Sequence, residues 1–469
     1  MRNIRIIVLF ASLLAFVSTL NAQRLGDAVY FSSLPQASQY NPAFHGDNSF
    51  YLSIPALGKL GFNFNTSGFA WHDFVNQHPD YKDSLRLDFE GFDKKLKDNN
   101  YFDLGFTDEI LGFGFKIGKN HFSFDVLLNV ETKLSFSKGL FDLIVYGTDY
   151  KDKHMNIFDK KLLDVNAYVS YALGLFREIN DKLTVGGNLK MYMGLANVSS
   201  KKTNVHLDFR NDKIQTLSDV EINTANSFIH WYMTGDNLFK DGSVENDDFK
   251  LSLNNMGFGF DVGASYKLNE DMQLSFSLVD VGYIKWKSNA NTVRSKHPNT
   301  PVEFSGIRTS YNNIGDDIDQ YLDDIVDSLK YAFDLETVEN SGYTTMVPTK
   351  VYLGYSWEFF SHNYLNALYK GRFIGGGYEN SLMLNYSFKM KYFQLSLGNT
   401  FASKFFNPNV FVSLADIFYF GASFASSLNA ADASGLSFQF GFNVALKSKT
   451  EKKTQVEDTP KQDVSFLEK

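Results

Sequence analysis

The chain has 469 residues, a formal net charge of −8 and no cysteine, which excludes a disulfide scaffold, a thiolate metal site and a lipid-anchored N-terminal cysteine. No basic block is large enough to hold nucleic acid. Phe (46), Tyr (25) and Gly (34) are frequent while Pro (9) is scarce, a composition that favours many strands over a helical enzyme.

The first element is an export signal over residues 1–22. Arg2 and Arg5 form its basic start, Ile6–Val17 is an apolar run too short to span a bilayer, and Ser18, Thr19 and Ala22 supply the small residues near the cut. Residues 23–48 follow and include "LPQASQYNPAF" at Leu34–Phe44. Pro35 and Pro42 break any ladder or long helix. The Asn, Gln and Ser side chains suit the pairing of backbone groups left over. From residue 49 the dominant signal has period two. In Phe258–Leu268 the apolar residues Phe258, Phe260, Val262, Tyr266 and Leu268 alternate with Gly259, Asp261, Gly263, Ser265 and Lys267. The run Leu436–Leu446 alternates in the same way with Ser437, Gln439, Gly441 and Asn443.

Length selects the meaning of this alternation. Soluble strands average about 5–6 residues, several runs here pass ten, and a tilted bilayer crossing takes about 9–11. Strands survive in lipid only in a closed barrel that pairs every backbone group. The expected fold is therefore all-β, a transmembrane antiparallel barrel over residues 49–446. Crossings are placed at 49–65, 107–117, 121–131, 163–177, 182–198, 201–209, 213–222, 254–268, 272–286, 348–360, 373–388, 391–401, 409–423 and 434–446. Tight turns at Gly118–Asn120, Ile179–Asp181, Arg210–Asp212 and Asn269–Asp271 are assigned to the periplasm, and the long polar connections to the outside.

One amphipathic loop helix is predicted at about 315–335. Ile318, Leu322, Ile325, Leu329 and Phe333 line its apolar face, opposite Asp319, Asp323, Asp324 and Asp327. That face is read either as a lid over a lumen entrance or as packing against neighbouring loops. Residues 447–469 are charged and aperiodic and read as a disordered periplasmic tail. No G-x-S-x-G, H-E-x-x-H or G-x-x-x-x-G-K-[ST] pattern is present. The nine histidines are scattered, so no enzyme, cofactor or metal site is expected.

"NPAF" at Asn41–Phe44, after an export signal and before a long barrel, resembles the Asn-Pro-Ala element of FadL-type long-chain fatty-acid channels. Residues 33–70 carry most of a second resemblance, to an uncharacterised family of Gram-negative outer-membrane proteins defined by a domain of unknown function. The FadL resemblance implies a fourteen-stranded outer-membrane barrel with an N-terminal hatch in its lumen, and places Asn41, Pro42 and Ala43 in that hatch. It transfers no other solute-binding residue. Two functions are open. One is a passive channel or binder for a hydrophobic small molecule. The other is a structural or secretion barrel that docks a protein partner at its outer loops, as the shuttle barrels of the type IX system do. Both set the chain in outer-membrane lipid.

Overall fold

The computed structural model describes residues 27–44, 48–77, 84–146, 154–158, 162–210, 213–227, 253–304, 334–339, 341–374, 377–402, 407–425 and 432–447. The export signal, residues 315–333 of the predicted loop helix and the tail beyond Lys447 lie outside them, and at the end of the predicted helix Leu335 begins a strand, Leu335–Glu339, instead.

Fourteen wall strands close on themselves, each antiparallel to the next. They are β1 (Asn48–Ser53 continued by Leu60–Thr66), β2 (Asn99–Ile117), β3 (Asn120–Ser137), β4 (Leu163–Glu178) and β5 (Leu183–Arg210). Next come β6 (Met256–Lys267), β7 (Met272–Trp286), β8 (Thr349–Phe360), β9 (Asn363–Ile374) and β10 (Gly377–Met390). The last are β11 (Phe393–Phe401), β12 (Pro408–Leu414), β13 (Phe418–Ala425) and β14 (Gly435–Lys447). Both halves of β1 pair with β14 on one side and β2 on the other, which closes the ring. Tight turns gather at one end, where β1 begins and β14 ends, and the long connections leave the other end.

The burial pattern identifies the medium. Phe258, Phe260, Val262, Tyr266 and Leu268 are all exposed on the outside of the ring, and Leu189 reaches 73 % exposure, while Asp261 and Ser265 between them are buried inside. Such a surface is tolerated in hydrocarbon, and the closed ladder leaves no edge unpaired there. Among the described residues no helix is long and apolar enough to cross a membrane; the crossing is made by strands. The fold is a membrane-spanning β-barrel.

The strand membership differs from the sequence expectation in three places. The expected crossings 201–209 and 213–222 do not cross. β5 runs unbroken for 28 residues, far past the length of one crossing. Its second half pairs with Lys213–Asn226, beyond the part that meets β6. The paired residues Arg210 and Lys213 therefore lie at the far end from the turns that follow β2, β4 and β6. His154–Phe158, Asn291–Ser295, Val302–Phe304 and Leu335–Glu339 extend this outer sheet. Its core is built by Leu143, Met155, Ile157, Val205, Leu207 and Val220. Residues 409–423 form two strands joined by the three-residue connection Ala415–Ile417, where Ala415 and Asp416 both take positive φ (54° and 58°) and reverse the chain. β9 is a crossing that the alternation did not reveal.

Bulges shift the parity of the walls. β2 slips against β3 between Glu109 and Leu111, which moves the apolar face from Leu104 and Phe106 to Phe115 and Ile117 and leaves Glu109 inside. In β7, Asp280 takes φ 61° at a second slip and points inward.

Candidate functional site

The inner wall of the barrel carries three layers of polar chemistry. The first, near the tight-turn end, is the meeting of residues 27–44 with inward-facing side chains from strands around the ring. The segment is two short 3-10 turns, Asp27–Phe31 and Pro35–Gln39, and its backbone joins no wall ladder. Gln36 is buried and exchanges reciprocal hydrogen bonds with Asn443 of β14 (2.7 and 3.0 Å), while its Nε2 also donates to Glu109 of β2 at 2.9 Å. Tyr30 donates to Ser275 of β7 at 3.0 Å and packs against Tyr352 of β8. Burial pushes the Tyr30 phenol up to about 12, so it remains a neutral donor. Val29 and Leu34 pack with Phe411 and Tyr419 of β12 and β13.

Asn41, Pro42 and Ala43 are all buried. Asn41 Oδ1 accepts from the Ala43 amide at 2.9 Å, a local turn bond, and its Nδ2 lies 3.3 Å from the Phe276 carbonyl of β7. The wall has no side chain where these residues approach. A Cβ on Gly186 of β5 would collide with the Pro42 carbonyl, and one on Gly263 of β6 would collide with Asn41 Oδ1. Gly186 and Gly263 thus give the Asn-Pro-Ala element a backbone window in the wall.

The second layer is a buried ionic band. Lys190 of β5 lies 2.8 Å from Asp261 and 2.6 Å from Asp280, and Lys350 of β8 lies 2.7 Å from Asp280. The inward Asp280 at the β7 bulge is shared by both lysines. A cavity of about 130 Å³ sits between this band and residues 38–40, lined also by Lys59, Asp125 and Lys370.

The third layer, toward the long connections, is another charged group. Arg372 of β9 is 1 % exposed and lies 2.9 Å from Glu131 of β3, 3.3 Å from Glu379 of β10 and 3.9 Å from Asp103 of β2. Lys133 of β3 lies 2.9 Å from Glu379.

Apolar surface appears elsewhere. At the outer rim Phe69, Phe92 and Leu96 are buried against Phe74, Phe102, Phe136 and Phe141, and nearby Trp71, Leu85 and Leu87 stand exposed. On the lipid side of β2–β6, Phe113, Phe115, Phe122, Phe124, Leu175 and Leu189 line a groove of about 1050 Å³.

Ile318, Leu322, Ile325, Leu329 and Phe333 lie outside the described residues. Gln36, Tyr30, Lys190, Asp280 and Arg372 were not singled out from sequence. The signal available was a charged residue at an inward position of a strand, as at Asp261 and Lys190. Among the described residues no group of three or more His, Asp or Glu is placed to hold a metal ion.

Three solved structures illustrate the comparison with known folds. A toluene transporter from Ralstonia pickettii, TbuX, is 10% identical at a TM-score of 0.41, covering 88% of this chain and 94% of its own. A FadL homologue from Pseudomonas aeruginosa is 11% identical at 0.39, covering 92% and 100%. The P. putida toluene transporter TodX is 9% identical at 0.37, covering 90% and 95%. At these values nothing about their solutes passes to this chain. No curated protein matches it. The sequence matches the family of unknown function DUF5723 over residues 42–422, and the chain belongs to that family.

Proposed function

We propose that the barrel stands in the outer membrane of a Gram-negative bacterium and is a FadL-like passive channel or binder for a hydrophobic small molecule, closed at rest by residues 23–48. The observation that carries the closure is the set of contacts made by residues 27–44. They reach Ser53, Glu109, Ser275, Tyr352, Gln394 and Asn443 through side chains and lone carbonyls, with no ladder bond to the wall. A segment held in this way is displaced without unpairing the barrel, by any ligand that binds the open state better.

The apolar solute is held at the outer rim, where the Phe69–Phe92 aromatic group meets exposed Trp71, Leu85 and Leu87. The cavity below is lined by Lys and Asp and suits water. Removing Arg24–His45 should raise the permeability of liposomes to small solutes, and unchanged permeability refutes the closure. A fluorescent apolar probe should bind the detergent-solubilised protein and lose affinity on Phe92→Ala. Equal binding by both proteins refutes the rim site.

A second reading, a structural or secretion barrel that docks a protein, draws on the outer sheet built on β5. That sheet stands beyond the membrane with a core of its own. A stoichiometric protein partner recovered in mild detergent, with no lipid or solute bound, would favour it.

A further inference from the structure

The positions of the third charged layer on the ring give it a separate meaning. β2 and β3 are neighbours, and so are β9 and β10. β4, β5, β6, β7 and β8 separate the two pairs on one side, and β11, β12, β13, β14 and β1 on the other. The pairs therefore face each other across the lumen. On one wall Asp103 and Lys133 stand opposite each other in register, and on the other Arg372 and Glu379 do the same. The short contacts then cross the gap, from Arg372 to Glu131 and from Lys133 to Glu379.

Fourteen strands about 4.8 Å apart and tilted about 40° would form a round ring roughly 28 Å across. An arginine and a glutamate meeting tip to tip span much less than that. The barrel is flattened at this level and its walls are tied together by their own side chains.

We propose that Arg372, Lys133, Glu131, Glu379 and Asp103 form an ionic clasp across the lumen, a second barrier in series with the N-terminal segment and independent of it. The clasp also sets charge preference. Two cations face three carboxylates, so the constriction carries a net charge of one negative and favours cations when the path below is open. The inference rests on the barrel and needs neither a hydrophobic solute nor a displaceable segment.

Planar-bilayer conductance tests it, using the full chain and a version lacking Arg24–His45. The shortened protein is expected to conduct weakly, with a reversal potential that favours cations. Arg372→Gln or Lys133→Met in that background should raise conductance severalfold, and Glu131→Gln should reduce the cation preference. Equal conductance with and without Arg372→Gln would overturn the clasp. If the deletion has no effect while Arg372→Gln opens the full chain, the displaceable segment fails and the clasp stands.

A second measurement serves if Arg372 variants do not fold. The chain has no cysteine, so Asn129→Cys with Lys370→Cys places the only two thiols in one cavity, on β3 and β9. These changes leave all five clasp residues in place. A flexible bis-maleimide should join the two positions within intact membranes. Failure to cross-link would show that the walls do not approach and would overturn the proposal.

Discussion

The lumen is occupied in two ways, at two heights. Near the tight turns it holds an added piece of chain, residues 27–44, bound by mostly neutral groups such as Gln36 with Asn443 and Tyr30 with Ser275. Toward the long connections the walls reach each other directly through Arg372, Lys133 and three carboxylates. Each neutral hydrogen bond adds about 0.5–1.5 kcal/mol net, and losing the segment unpairs no strand. Losing one member of the charged group leaves buried charge without compensation inside the wall itself. On the proposed function the first contact is the removable one, and the second belongs to the barrel's own stability.

That contrast is open to direct test. The largest effect is expected at the clasp, where Arg372→Met removes the buried cation that meets Glu131 and Glu379. It should lower barrel stability by about 3–5 kcal/mol in denaturant unfolding in detergent. A midpoint equal to wild type would erase the distinction. Gly186→Val should do the reverse, because its side chain takes the place of the Pro42 carbonyl. Cleavage of residues 27–44 by added protease should rise about tenfold or more, which corresponds to at least ~1.4 kcal/mol of lost seating. The barrel midpoint should stay put.

Gln36→Ala leaves Asn443 and Glu109 facing an empty site, and a cost of about 1–3 kcal/mol in seating is expected. The same protease assay measures it. Tyr30→Phe is the smallest change, about 1 kcal/mol, from the lost bond to Ser275. Its pH dependence sharpens the comparison. The Tyr30 phenol is raised by burial to about 12, above its unfolded value of about 10. Its stabilising contribution is therefore complete below pH ~10 and is lost as pH rises beyond that. The wild-type advantage over Tyr30→Phe should be equal at pH 6 and pH 9, and a difference between those values would contradict a neutral, buried phenol.

The barrel was legible because lipid imposes a local rule. Each residue of β6 or β14 faces either hydrocarbon or lumen, so the alternation of Phe258–Leu268 and Leu436–Leu446 states the environment directly. Where that rule lapses, the reading failed. β9 carries Asn366, Lys370 and Arg372 inward on a strand whose outer face includes Ala367 and Gly371, so its contrast is weak. Residues 201–210 and 213–222 alternate because they pair with each other as strands, and nothing local separates such a pair in lipid from one in water. The connection between Leu414 and Phe418 is three residues long, an odd number, which keeps β12 and β13 in what looks like one alternating run. Asn41, Pro42 and Ala43 were marked by resemblance. Their contacts with Gly186 and Gly263 depend on residues far away in the chain and have no local signature.

The sequence by itself determined the all-β class, the crossing length and which face of each alternating strand meets lipid, because period and hydrophobicity are properties of neighbouring residues. Only the tertiary structure decided which strands close the ring, that bulges at Ile110 and Asp280 turn Glu109 and Asp280 inward, and that Arg372 meets Glu131 from the opposite wall. Those outcomes follow from ring closure and strand register. They bring together residues 241 positions apart, a separation over which no local pattern carries information.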